Sequence, residues 1–124
     1  MKSLKKVLAL IAIIGALSPV FGAESDIVVL MDTSGTILPF FEEINGRILV
    51  DITKKFVRPG DTFHLISFNS RVNLEIVQPI NTEADLSRVV SRFMLLYPLG
   101  QNSDFISGLH YTWQYVSSLD QLRN

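Results

Sequence analysis

The chain has 124 residues, of which 48% are hydrophobic and 19% are charged, and it contains no cysteine. This length suits a single domain, and the hydrophobic fraction excludes a chain that is disordered throughout. Without cysteine, the chain has no disulfide scaffold, thiolate metal site or cysteine nucleophile. The formal net charge of −1 gives no electrostatic indication of nucleic-acid binding.

The first 22 residues have the pattern of a secretory signal peptide. Three lysines precede an apolar stretch, residues 7–17, that is too short to cross a bilayer as a helix. We expect cleavage after Gly22, with Ala23 as the alternative, and an exported protein that is periplasmic or secreted. The domain would then comprise residues 23–124, without a membrane span; an uncleaved anchor is the other interpretation.

The charge of this predicted mature domain is acidic. Residues 23–124 carry eight basic and twelve acidic side chains, because cleavage of the signal segment removes three lysines and no acidic residues. A domain of this charge is a poor match for nucleic acid or for an anionic membrane surface.

Two continuous apolar runs predict strands that are buried on both faces, residues 27–31 and residues 62–68. Between them, a helix is expected over residues 38–57, with Pro39 in its first turn. Its apolar residues recur at helical spacing: Phe41, Ile44, Ile48, Ile52 and Phe56.

The second half of the chain predicts one more strand and two helices. Val72, Leu74 and Ile76 alternate with polar residues, which indicates an edge strand in a hairpin, closed by Pro79. A helix beginning at Thr82 and Glu83 follows, with its apolar face formed by Leu86, Val89, Val90, Phe93 and Met94. A third helix, ending near Leu119, is capped by Ser103 or Asp104 and marked by Ile106, Leu109, Trp113 and Val116.

This order of elements predicts an α/β fold, with a mostly parallel sheet, an antiparallel edge strand and flanking helices. Ligands gather at the carboxyl ends of the strands in such sheets. Asp32, Ser34 and Thr36 follow the first strand there and offer one carboxylate and two hydroxyls. Oxygen ligands suit hard cations such as Mg²⁺, although the same residues could simply cap the following helix.

Three segments resemble the von Willebrand factor A-type domain. Residues 28–36 resemble the family's first signature, a hydrophobic strand followed by Asp-x-Ser-x-Ser; residues 60–68 resemble its second strand. Residues 100–104, followed by Phe105 and Leu109, resemble its second loop. The resemblance covers about residues 25–119 and implies a Rossmann-like fold with a metal-ion-dependent adhesion site.

By this resemblance, Ser34 and Thr36 coordinate the ion through their hydroxyls, and Asp32 acts through a bound water. Ser103 stands where the family has threonine, and an acidic side chain of the partner completes the shell. We therefore expect an exported adhesion module without catalytic residues, which binds another protein through Mg²⁺ or another divalent cation.

The sequence departs from the family at its end. It stops at Asn124, before the fourth strand and the third metal loop with its aspartate. We therefore expect a truncated domain with weak metal affinity, because only one carboxylate is present. One edge of the strand at residues 27–31 would be unpaired, which predicts poor folding or self-association.

Two other functions stay open. Residues 32–36 also resemble the aspartyl-phosphate loop of haloacid-dehalogenase phosphatases and cation-pumping ATPases, in which Asp32 would be a nucleophile. A metal-free interaction remnant is the second alternative. Elsewhere, His64 in an apolar strand is expected to be a core residue and His110 not to be a zinc ligand. Arg88 and Arg92 are expected on a solvated helix face.

Overall fold

A computed structural model describes residues 15–16, 24–47, 55–96, 98 and 100–123. Its strands are β1 (Gly15–Ala16), β2 (Asp26–Asp32), β3 (Thr62–Phe68) and β4 (Val72–Pro79). A 3₁₀ helix (Gly35–Phe40) leads into α1 (Phe41–Arg47), and α2 (Glu83–Leu95) and α3 (Phe105–Arg123) follow. Apart from Gly15 and Ala16, the predicted signal peptide falls outside these residues.

The described strands form one sheet in the order β1-β2-β3-β4. β2 and β3 are parallel, with Asp26 opposite Thr62 and Asp32 opposite Phe68, whereas β3 and β4 are antiparallel. The prediction of an α/β fold is confirmed. The described sheet is mixed rather than mostly parallel, because the chain turns straight back after β3 as a hairpin.

The outer edge of β2 is partly covered. β1 pairs antiparallel with β2 at Ile27 and Val28 only. No strand among the described residues pairs with residues 29–32 on that side. The predicted unpaired edge therefore holds, within the described part of the chain, for the half of β2 nearest its carboxyl end.

β2 is buried on both faces, as its unbroken apolar run predicts. Ile27, Val29 and Met31 face one cluster, which includes side chains of α1 and α2. Val28 and Leu30 face the other cluster, against which α3 packs. The sheet thus separates two hydrophobic layers and carries β2 between them.

A bulge changes the face that β4 presents to each layer. The β3–β4 register shifts between Leu65 and Ile66, which leaves Glu75 as the extra residue of β4. Val72 therefore packs in the α3 layer, whereas Ile76 lies in the other layer. The edge strand is as predicted, but Leu74 is exposed because the bulge interrupts the alternation.

The helix after the first loop is confirmed only in part. A 3₁₀ helix containing Pro39 comes first, and α1 is described as far as Arg47. Phe41 and Ile44 are buried as expected. Ile48 and Ile52 lie outside the described residues, and Phe56 is 51% exposed, so the predicted apolar face does not extend to it.

α2 begins where the sequence predicts. Thr82 accepts a hydrogen bond from the Asp85 backbone, and the Asp85 carboxylate accepts one from the Thr82 backbone, forming a capping box. Val89 and Phe93 are buried, but Val90 and Met94 are exposed. The buried stripe is therefore narrower than the apolar periodicity suggests.

α3 is longer than predicted, and its packed face is rotated from the predicted one: Leu109 and Val116 pack against the sheet as expected. Ile106 and Trp113, expected in the core, are 74% and 73% exposed. The residues that pack against the sheet are Phe105, Leu109, Tyr111, Tyr115, Val116 and Leu119. Gly108 explains the rotation, because a Cβ atom there would lie 2.9 Å from Phe68 Cγ. No described helix is both long and apolar enough to cross a membrane.

We expect Gly108→Ala to lower the free energy of unfolding. Phe68 is fully buried and cannot move aside, so overpacking at about 1–3 kcal/mol outweighs the gain in helix propensity. Gly46→Ala is the matched control, because a Cβ atom there meets nothing within 4 Å, and alanine should stabilise α1 slightly. Denaturant unfolding compares the two; equal stability would contradict close packing at Gly108.

Candidate metal centre

Asp32 is the last residue of β2 and lies at the carboxyl end of the parallel pair. It is only 1% exposed, and both of its carboxylate oxygens accept hydrogen bonds. The backbone N–H of Ser34 donates to Oδ1 at 2.7 Å. The hydroxyl of Ser103 donates to Oδ2, also at 2.7 Å. The carboxylate is therefore held in one orientation.

The other two predicted ligands are next to it. Ser34 Oγ and Thr36 Oγ1 are 2.7 Å apart; Ser34 is buried and Thr36 is exposed. All four predicted site residues thus belong to one hydrogen-bonded group. The structure brings Ser103 to this group across 71 residues of sequence.

Backbone contacts hold the two loops together. The N–H of Gly35 donates to the carbonyl of Gly100 at 2.9 Å, and the N–H of Gly100 donates to the carbonyl of Thr33 at 3.1 Å. A Cβ atom on Gly100 would overlap the Asn69 side chain. Only glycine allows the second loop to approach this closely.

Asn69 connects the same two loops, and the sequence alone did not predict this role. Its side-chain amide donates to Thr33 Oγ1 at 3.1 Å. Its backbone carbonyl accepts a hydrogen bond from the backbone N–H of Asp104 at 2.8 Å. The available signal was its position directly after β3, the strand parallel to β2.

Asp104, not Ser103, caps α3. Its carboxylate accepts hydrogen bonds from the Ser107 hydroxyl at 2.7 Å and the Ser107 backbone at 3.0 Å. These two bonds, the hydroxyl first, lower the pKa of Asp104 below its usual value. Ser103 is therefore not needed as a cap, and its hydroxyl points to Asp32 instead.

The donor set fits a hard cation, with limited charge. Its side chains offer one carboxylate and three hydroxyls, the oxygen chemistry that Mg²⁺ prefers. Among the described residues, no three His, Cys, Asp or Glu side chains form a group that could hold a metal. Within the described residues, a cation bound here would therefore have the Asp32 carboxylate, hydroxyls and water as its ligands.

A second polar network lies at the opposite end of the sheet. His64 Nε2 is 2.8 Å from Asp26 Oδ1, and His64 Nδ1 is 2.7 Å from the Tyr115 hydroxyl. A carboxylate accepts only, so Nε2 donates to Asp26; in the neutral imidazole, Nδ1 then accepts from the Tyr115 hydroxyl. Burial, followed by the charge of Asp26, raises the pKa of Tyr115. The prediction that His64 is a core residue is confirmed.

His110 and the aromatic residues of α3 lie outside the hydrogen-bonded group around Asp32. His110 is exposed on α3 and belongs to no metal-type cluster of described residues. The aromatic residues of α3 are divided: Tyr111 stacks on Tyr115 with ring centres 6.4 Å apart, whereas Trp113 projects outward.

Searches against models of protein families and against curated proteins give no match for this chain.

Ser103→Ala should lower the free energy of unfolding by about 1–2 kcal/mol, because it leaves a buried carboxylate oxygen without its donor. Ser70→Ala is the control, since Ser70 is an exposed turn residue and should change stability by less than about 0.5 kcal/mol. Denaturant unfolding measures both. Equal values would mean that the hydroxyl of Ser103 does not support Asp32.

Tyr115→Phe removes the donor to buried His64 and should cost about 1–3 kcal/mol of unfolding free energy. Tyr111→Phe is the matched control, because the Tyr111 hydroxyl forms no hydrogen bond with a described residue.

The same pair of variants predicts a pH dependence. The folded pKa of Tyr115 lies above its ordinary value of 10.0, so its contribution is complete below that pH and is lost as pH rises through the folded pKa. Unfolding measured from neutral to alkaline pH should therefore bring wild type and Tyr115→Phe together. A constant difference would contradict the assignment.

Proposed function

We propose that this chain is an exported interaction module of the von Willebrand factor A type. In this proposal, it binds another protein through a divalent cation held by Asp32, Ser34, Thr36 and Ser103. The observation that carries this proposal is the hydrogen bond from Ser103 to Asp32. The two residues are far apart in the sequence, and only the resemblance to the family predicts that they belong to one site. The mixed sheet would then be the first part of the family's Rossmann-like fold.

The four proposed ligands differ in burial, which gives them different roles. Asp32 and Ser34 are buried and oriented by hydrogen bonds, whereas Thr36 and Ser103 are exposed. The exposed hydroxyls keep the site open to a partner. When bound, the cation supplies a positive point that a carboxylate of the partner can join. With a single carboxylate from this chain, the centre keeps excess positive charge and favours an anionic partner.

The geometry supports a binding role over the phosphotransfer alternative. A nucleophilic carboxylate needs an oxygen that can reach a phosphoryl group. Both oxygens of Asp32 accept hydrogen bonds, and the residue is 1% exposed. If the chain hydrolysed a phosphomonoester and lost this activity in Asp32→Asn, the phosphotransfer function would be favoured instead.

One observation favours the metal-free alternative. Ser34 Oγ and Thr36 Oγ1 are within 2.7 Å of each other, so these hydroxyls satisfy one another without a cation. The experiment must therefore measure metal binding directly and locate it on the chain.

Paramagnetic Mn²⁺ provides this measurement on the isotopically labelled full chain. We expect sub-stoichiometric Mn²⁺ to broaden the backbone amide signals of residues 33–36 and 100–103 first, and excess Mg²⁺ to restore them. Asp32→Asn and Thr36→Val should each weaken the broadening about tenfold or more, because charged and hydroxyl ligands are lost.

Asp104→Asn is the control, since this neighbouring carboxylate caps α3 and should leave the broadening unchanged. Broadening centred elsewhere, or unchanged in both ligand variants, would refute the cation site.

A second experiment tests partner binding on the same protein. A short aspartate-containing peptide should bind only with Mg²⁺ present, and its asparagine counterpart should not bind. Mg²⁺-independent retention of both peptides would support the metal-free module.

A further inference from the structure

A groove of about 520 Å³ runs between the edge strand β4 and helix α2. One flank of α2 and one side chain of β4 form its walls. The lining residues are Gln78, Ala84, Ser87, Arg88, Ser91 and Arg92. The helical members recur at spacings of three and four, so they form one continuous stripe along the helix.

The groups that the lining residues add to a mainly apolar surface are basic or neutral. The lining contains two guanidinium groups, two hydroxyls and an amide, and no carboxylate. Arg88 donates to Asp85 at 3.1 Å, which partly neutralises it. Asp85 also belongs to the capping box of α2, and its pKa is lowered, first by the backbone N–H of Asn81. Arg92, one turn further along, supplies the charge that remains for a ligand.

Among the described residues, no further strand pairs with the outer edge of β4, beside the groove. β4 is the last strand of the described sheet and pairs only with β3. The bulge at Glu75 and the proline at position 79 limit this edge to a short segment, residues 76–78. Such a segment can pair with only about three residues of an added strand. The added strand would lie next to Arg88 and Arg92 of α2.

We propose that this groove binds an extended acidic peptide segment of a partner protein. The peptide adds to β4 as a short antiparallel or parallel strand, and its alternate carboxylates meet Arg92 and Arg88. Backbone hydrogen bonds supply the main-chain recognition, and the guanidinium groups select acidic side chains.

This groove is separate from the candidate metal centre. Gln78 pairs with Phe63 at the start of β3, whereas Asp32 pairs with Phe68 at its end. The two sites thus lie towards opposite ends of the sheet. Binding in the groove requires no cation, so it can be tested with a chelator present, and its failure leaves the cation site unaffected.

Fluorescence anisotropy on the full chain tests the proposal, with a labelled hexapeptide of alternating threonine and glutamate in EDTA. We expect saturable binding that Arg92→Gln weakens about tenfold or more. Arg47→Gln is the matched control, because Arg47 is an exposed helical arginine already paired with Glu43 at 3.1 Å, and it should bind like the wild type. The glutamine counterpart of the peptide should bind about as weakly as Arg92→Gln binds the parent peptide.

A backbone test distinguishes strand addition from charge attraction. Methylation of alternate peptide nitrogens should weaken binding about tenfold, and the parent peptide should slow hydrogen exchange at those amides of residues 76–78 that point away from β3. The proposal is overturned if the parent peptide does not bind, if Arg92→Gln matches the control, or if the methylated peptide binds equally well. Full displacement by millimolar inorganic phosphate would instead identify a small-anion site.

Discussion

The parallel pairing of β2 with β3 is the constraint on which the rest of the described structure depends. Residues 27–31 of β2 are apolar and buried on both faces, so the strand must lie inside the domain with a layer of side chains on each side. α1 and α2 cover one face and α3 covers the other. The same pairing aligns Asp32 with Phe68, so the loops that follow the two strands begin side by side.

From that starting point, close backbone approach builds the candidate metal centre. Gly100 brings the loop before α3 against Thr33 and Gly35, and Asn69 binds to both sides of the contact. Ser103 thereby reaches Asp32, while its neighbour Asp104 caps the helix. The division of work between these two adjacent residues is a consequence of how the helix enters the sheet.

Much of the fold could be predicted from hydrophobic patterning. β2, β3, β4 and α2 lie within one to three residues of their expected bounds, because their burial follows local periodicity. The errors have physical causes that are not local. The bulge at Glu75 moves Leu74 out of the core, and the contact between Gly108 and Phe68 rotates α3 so that Ile106 and Trp113 face outward.

By itself, the sequence determined the α/β class, the apolar strands and the identity of Asp32, Ser34 and Thr36 as a set of oxygen donors at a strand end. These properties follow from residues close in the chain. Only the tertiary structure decided that Ser103, which the family resemblance alone had added to the set, hydrogen-bonds to Asp32, and that Asn69 connects the two loops. β4 and α2, which are consecutive in the chain, border the basic groove. The contacts of Ser103 and Asn69, in contrast, each require two segments distant in sequence to meet, and local spacing does not encode the distance between them.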